Sequence, residues 1–263
     1  MWKWYVLVGI GCLNLATVSS CANSISERDR AQAQTHYDLG VATLNIGDIR
    51  GALKELLDAT KLDPELADVH NALGLVYHRL DYLDKGLEHY NLALKWRPDF
   101  SEAYNNRGVL LMDLGRYDEA IESFKVALED ILYRTPSSAE GNMGWAYYKK
   151  GDAQQGVKHI KNAVAINPKF CRGYEWLMRI ALHLDEEEGV ESSYKRFDRY
   201  CMGDESIATL ILPDYIRQMK YYYGLSLLKQ GDRTRAREIF EECALFDSDE
   251  QFGSKCSSAF MAL

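Results

Sequence analysis

The sequence predicts an all-α fold, a solenoid of about six helical hairpins with a C-terminal capping helix. Three observations carry this. Gly40, Gly74 and Gly108 stand 34 residues apart, and so do Pro64 and Pro98. Twelve residues after each of these glycines comes a second small residue, Ala52, Gly86 and Ala120. Turn signals lie between the two, at Gly47-Asp48 and Gly115-Arg116. A fixed period of this length marks a stack of helical pairs, each too small to bury a core alone. Such an architecture offers a surface more readily than it does chemistry.

The chain opens Met1-Trp2-Lys3, runs through Tyr5-Val6-Leu7-Val8-Gly9-Ile10 and reaches small residues at Val18-Ser19-Ser20 before Cys21. A short positive start, an apolar stretch too short to span a bilayer and small residues before a cut site predict a secretory leader over 1–20. Val18-Ser19-Ser20-Cys21 resembles a bacterial lipobox, which implies removal of the leader and a lipid on Cys21. The alternative is an ordinary leader followed by a chance cysteine. Residues 21–30 read as a polar tether, because 22–30 carry no apolar periodicity. Attached acyl chains contribute about 0.8 kcal/mol per buried methylene to membrane anchoring. In enteric lipoproteins an Asp after the modified cysteine marks the inner membrane. Ala22 stands there, so the lipobox resemblance implies an outer-membrane, periplasm-facing location.

Hairpins are expected at about 33–66, 67–100, 101–134, 137–170, 171–203 and 217–249, within one repeat domain over 31–263. The first places Leu39-Gly40 against Ala52, Leu56 and Ala59; the second places Leu73-Gly74 and Tyr77 against Gly86, Tyr90 and Ala93. The third pairs Gly108 with Ala120, Phe124 and Ala127, and the fourth pairs Met143-Gly144 and Tyr147 with Gly156, Ile160 and Ala163. Small residues on both helices let the backbones approach, and large ones fill the space around that contact. Pro64, Pro98 and Pro168 end the second helices, since proline removes an N–H and clashes with the preceding turn. From Gly108 to Gly144 the step is 36, a two-residue insertion assigned to Thr135-Pro136. Over about 31–168 this pattern resembles the tetratricopeptide repeat, and an ordinary amphipathic bundle would not hold its register through four units.

Beyond residue 170 the register loosens. Met178 stands where the glycine should, and the second helix, about 189–201, carries Tyr194 and Phe197. A sixth hairpin fits Tyr223-Gly224, Gly231-Asp232, Ala236 and Phe240 after a longer connection at Asp204–Pro213. The segment from about Glu250 reads as the capping helix that an open array end requires.

Net charge is −8, with no basic stripe, which argues against nucleic acid as partner. Cys12 belongs to the leader and Cys21 to the lipobox, so Cys171, Cys201, Cys243 and Cys256 remain. In an exported chain four cysteines allow three pairings, with free thiols as the alternative. Cys171 begins the fifth hairpin and Cys201 ends it, and those ends meet in an antiparallel pair. Cys243 faces the expected capping helix with Cys256. Cys171–Cys201 and Cys243–Cys256 are therefore the expected disulfides, the first closing about thirty residues for roughly 3–4 kcal/mol. No catalytic motif is present: there is no H-E-x-x-H, G-x-S-x-G or phosphate loop. The histidines are scattered, and His36 and His70 read as packing residues. No enzyme activity, cofactor, metal or small-molecule substrate is expected.

The first helices should line the concave face through positions one and four after each glycine. These are Val41 and Leu44, Leu75 and His78, Val109 and Met112, and Trp145 and Tyr148, bordered by Asn71, Asn105 and Asn142. Such an apolar trough suits an amphipathic helix or an extended apolar peptide. Trp145 and Tyr148 are its expected anchors. In the tetratricopeptide arrays that clamp a C-terminal carboxylate an Asn follows the glycine; here Val, Leu, Val and Trp stand there, which disfavours that mode.

Leu132-Tyr133-Arg134-Thr135-Pro136, then Ala139-Glu140-Gly141-Asn142-Met143-Gly144-Trp145-Ala146-Tyr147-Tyr148-Lys149-Lys150-Gly151-Asp152, is more specific than the repeat itself. The Tyr-x-x-Pro approach, the insertion and this helix resemble the type IV pilus pilotins of the Tgl, PilF and PilW group. Lipobox, six repeats and the cysteines around the fifth repeat agree with that group. The resemblance implies a lipoprotein that binds secretin subunits and promotes their outer-membrane assembly into a stable multimer. It weakens after about residue 205. A tetratricopeptide lipoprotein that recruits peptidoglycan hydrolases, or joins outer-membrane assembly, is the alternative.

Overall fold

The computed structural model describes residues 25–244 and 251–263. Six antiparallel hairpins follow one another: α1 (Glu27–Asn45) with α2 (Ile49–Leu62), α3 (Ala67–Arg79) with α4 (Leu83–Trp96), and α5 (Ser101–Asp113) with α6 (Tyr117–Glu129). Then come α7 (Pro136–Lys150) with α8 (Ala153–Ile166) and α9 (Cys171–His183) with α10 (Glu187–Phe197). A π-turn continues α10 over Asp198–Met202, the short α11 (Glu205–Ala208) follows, and α12 (Pro213–Lys229) pairs with α13 (Arg233–Ala244). The last helix, α14 (Gln251–Met261), packs on both α12 and α13, as a cap should. First helices touch first helices along the array, α1 on α3, α3 on α5, α5 on α7, α7 on α9 and α9 on α12.

The close approach that the glycines predict is present. A Cβ on Gly108 would meet the Phe124 ring at 2.5 Å, and that ring is fully buried. In the fifth hairpin the buried Met178 fills the glycine's place and faces a core containing Val190, so this pair is held by side chains.

The inner turns share one feature the sequence hides. Each contains a residue with positive φ: Gly47, Asp81, Gly115, Gly151, Asp185 and Gly231. Their steps of 34, 34, 36, 34 and 46 residues continue the beat through all six hairpins. Asp81 and Asp185 take the left-handed conformation that glycine adopts freely and that Asp tolerates better than most residues. In Gly47-Asp48 and Gly151-Asp152 the turn also supplies an N-cap, the Asp accepting the N–H of Gly51 and of Gln155.

Three boundaries differ from those expected. Helix α1 starts at Glu27, inside the segment read as tether. Ser26 caps it by accepting the Asp29 N–H at 3.1 Å, and Glu27 and Asp29 favour its positive end. Helix α12 starts at Pro213, four residues ahead of the expected sixth hairpin, with proline at the position where its missing N–H costs nothing. Helix α10 runs from Glu187 and gives way to the π-turn before Cys201. The leader, Cys21 and residues 22–24 lie outside the described residues. The structure joins Cys171 to Cys201, with Cα atoms 5.9 Å apart, and Cys243 to Cys256, at 5.7 Å.

Candidate partner-binding groove

The first helices stack side by side, so the residues just after each glycine line one continuous face. Val41, Leu75, Val109, Met112, Trp145 and Tyr148 are all partly exposed there, as are His78, Asn71, Asn105 and Asn142. Leu44 departs from the expectation. It is 5% exposed and belongs to the buried cluster that Ala52 and Leu56 of α2 form with Leu73 and Val76 of α3.

Polar rungs tie successive first helices together along this face. Asn106 donates to Asn71 and Asn142 donates to Asn105, each at 3.1 Å. His78 meets Asp113 at 2.7 Å, and the Tyr148 hydroxyl lies 3.0 Å from His183 Nδ1. The expected Asn residues thus act first as links between hairpins, and they fix the relative register of the helices that build the groove.

The chemistry changes along the face. Between α1 and α5 the lining is mainly aliphatic. Between α7 and α9 it is aromatic, with one cation. Trp145 stacks on Trp176, with centroids 5.3 Å apart and planes 11° from parallel, and lies 5.0 Å from Tyr148. The Arg179 guanidinium sits 4.8 Å above the Trp145 ring and pairs with Glu175 at 3.2 Å. Trp176 is itself buried, wedged edge-on against Phe170. An anchor held in this way loses little rotamer freedom when a partner docks. Trp176 and Arg179 were not among the expected groove residues. The signal was present: Arg179 follows Met178 as Trp145 follows Gly144, but without a glycine the fifth register is hard to extend.

The other four histidines act within hairpins. His36 meets Glu55 at 2.8 Å, His70 meets His89 at 3.1 Å and His159 meets Glu140 at 2.9 Å, each pair 19 residues apart and joining the two helices of one hairpin. Among the described residues, His36, Glu55 and Asp58 form a trio close enough to hold a cation. Glu55 is taken up by His36, and Asp58 by Lys61 at 2.6 Å, which also holds the Asp58 carboxyl below its ordinary range. A cleft of about 500 Å³ opens beside Asn105 and Asn106, walled by Arg97, Phe100, Tyr133 and Arg134. Burial pushes the Tyr133 phenol up, so it stays neutral and able to donate. The Tyr-x-x-Pro segment therefore borders the groove through this wall.

Family models of the tetratricopeptide repeat match residues 44–81, 67–100, 101–129, 141–170 and 219–245. No curated protein matches the sequence. Among solved structures the chain is similar to PilW, described as a widely conserved type IV pilus biogenesis factor. The TM-score is 0.74 at 22% identity, over 85% of this chain and 97% of PilW. It is also similar to pilF of Pseudomonas aeruginosa, with a TM-score of 0.71 at 18% identity over 88% of this chain and 99% of that one. A tetratricopeptide repeat protein from Parabacteroides merdae follows at 0.63 and 16% identity, over 87% and 84%. At these identities the likeness is one of fold.

Proposed function

The chain is a tetratricopeptide-repeat protein, and we propose that it is an outer-membrane lipoprotein of type IV pilus biogenesis, a pilotin that binds secretin subunits and promotes their assembly into a stable multimer. The observation that carries this reading is a coincidence in α7. The segment that resembles the pilotins is the one that carries the partly exposed Trp145 and Tyr148 side by side, with Trp176 and Arg179 packed on Trp145. The fold likeness to PilW, over nearly all of that chain, supports the same assignment.

In this reading a lipid on Cys21 holds the array at the membrane. The aliphatic stretch of Val41, Leu75, Val109 and Met112 shields the apolar side of an amphipathic secretin segment until the ring buries it. Trp145 and Tyr148 supply the anchoring contacts. Arg179, over Trp145, offers a carboxylate or carbonyl of that segment a charged donor. The partner dissociates when secretin subunits bury the same surface more completely against each other.

Deletion of the gene tests the proposal. Surface pili and heat-resistant secretin multimers are expected to fall together, and restoring the chain should return both. Multimers that persist unchanged while cell-wall turnover alters would overturn it in favour of an adaptor for peptidoglycan hydrolases.

A further inference from the structure

Each second helix returns antiparallel to its first, so every link from one hairpin to the next lies on the same edge of the array. The N-terminus of α1 lies on that edge too. Contacts between neighbouring links trace it: Arg97 pairs with Asp68, Ser101 Oγ donates to Asp130 at 2.6 Å and Lys169 meets Asp204 at 2.6 Å. Two of these links expose runs of apolar side chains. In the α6–α7 link Ile131 is 95% and Leu132 82% exposed; in the α11–α12 link Leu210 is 81% and Leu212 74% exposed. Trp96 and Ile166, at the ends of α4 and α8, add to the same edge. The opposite edge exposes single apolar residues, Ile46, Tyr82 and Leu184, one to a turn.

We propose that this edge, led by Ile131-Leu132 and Leu210–Leu212, dips into the lipid surface to which the chain is anchored. The inference rests on the lipid at Cys21 proposed above. Six residue-to-residue steps lead from Cys21 to Glu27, the first residue of α1. Fully extended they reach about 20 Å, so the anchor holds this edge, and not the opposite one, against the bilayer. Charge would not draw this edge to an anionic surface, because its links carry Asp63, Glu65, Asp99, Asp130, Asp204 and Glu205 against Arg97, Arg134 and Lys169, which leaves the apolar contacts in command. The lipid surface is therefore taken as neutral. Leucine and isoleucine at loop tips gain by entering the acyl boundary, and Trp96, with the Lys95 ammonium 4.7 Å from its ring, suits the headgroup level. Two points of contact, at the third and fifth links, would fix the orientation of the array. The concave face would then be held at a constant height above the membrane, where an arriving subunit meets it.

The test uses the full lipidated chain in phosphatidylcholine vesicles. A photoreactive diazirine side chain is installed at Leu132, at Leu210 or, for the opposite edge, at Ile46, and lipid adducts are counted by mass spectrometry. Yields at 132 and 210 about tenfold above that at 46 are expected. The paired variant Ile131→Glu with Leu212→Glu should lose most of the adducts at both sites, while its circular dichroism stays unchanged because both positions are exposed. Equal yields at all three positions, on a chain whose intact mass carries the Cys21 lipid, would overturn the edge and leave the anchor standing. A mass without lipid would overturn both. Adducts that form with an added secretin subunit in place of lipid would reassign the loops to a protein partner. The Trp145→Ala chain should keep its lipid adducts whether or not the groove binds secretin, which separates this proposal from that one.

Discussion

Replacing Gly144 by Ala adds one methyl group where α7 and α8 approach most closely. The new Cβ would stand 2.8 Å from the Gly156 carbonyl oxygen, 2.9 Å from the Ile160 nitrogen and 2.8 Å from Ile160 Cγ1. Two of these atoms are backbone, so no rotamer change relieves them, and the helices must part. Overpacking of this kind costs about 1–3 kcal/mol. Alanine's better helix propensity returns up to about 1 kcal/mol. The net expectation is a loss of about 1–2 kcal/mol, centred on the fourth hairpin, whose first helix carries Trp145. Gly189 in α10 is the milder comparison: its nearest foreign atom is Ala181 Cβ at 3.1 Å, a contact relieved by a shift of a few tenths of an ångström that alanine's helix propensity offsets, so Gly189→Ala should stay within about 0.5 kcal/mol of the parent. Urea unfolding followed by circular dichroism gives the total. Amide exchange in α7 and α8 gives the local loss, which matters because solenoid repeats differ in stability. A Gly144→Ala chain as stable as the parent, or no different from Gly189→Ala, would refute the close-approach reading of the beat.

The groove, the histidines and the capping helix yield three more expectations. Trp145→Ala or Tyr148→Ala should weaken binding of a secretin segment by roughly tenfold or more with the array still folded; unchanged affinity in isothermal titration would remove these residues from the site. His70 Nε2 donates to the Pro64 carbonyl at 2.9 Å, so its Nδ1 accepts from His89, and burial with His70 and Lys85 nearby holds the His89 pKa at about 4. The unfolded chain then takes a proton that the folded chain refuses, so this contribution is complete above about pH 6.5 and is lost as pH falls toward 4. Allowing for partial solvent exposure the loss is roughly 1–2 kcal/mol. His89→Gln should flatten that part of the stability curve, and an unaltered slope would count against it. Replacing Cys243 and Cys256 by Ser should release α14 and cost about 3 kcal/mol. Exchange protection at 252–260 that survives in this variant would show that packing alone holds the cap.

The hairpins were legible because the interactions that set them are local. Gly108 and Phe124 meet within one repeat, so their spacing carries the geometry, and the cysteine positions at the ends of the fifth hairpin follow from the same antiparallel rule. The turns were only partly legible. Asp81 and Asp185 adopt the glycine conformation without being glycine, and the backbone alone shows that they complete the beat. The start of α1 was missed because its first turn is polar, and Ser26 and Asp29 signal a cap without an apolar period.

What the sequence determined by itself is the repeat: its period, its two-residue insertion, its cysteines and the residue types that follow each glycine. What only the tertiary structure decided is what covers what. Leu44 is buried in a cluster shared by two hairpins while Val41 remains partly open, Trp176 backs Trp145 from the next hairpin, and Ile131-Leu132 shares an edge with Leu210–Leu212 nearly eighty residues away. The reason is physical. Periodicity encodes contacts within a hairpin, whereas exposure along the array depends on how each hairpin turns on its neighbour. That angle is set jointly by all the side chains between them.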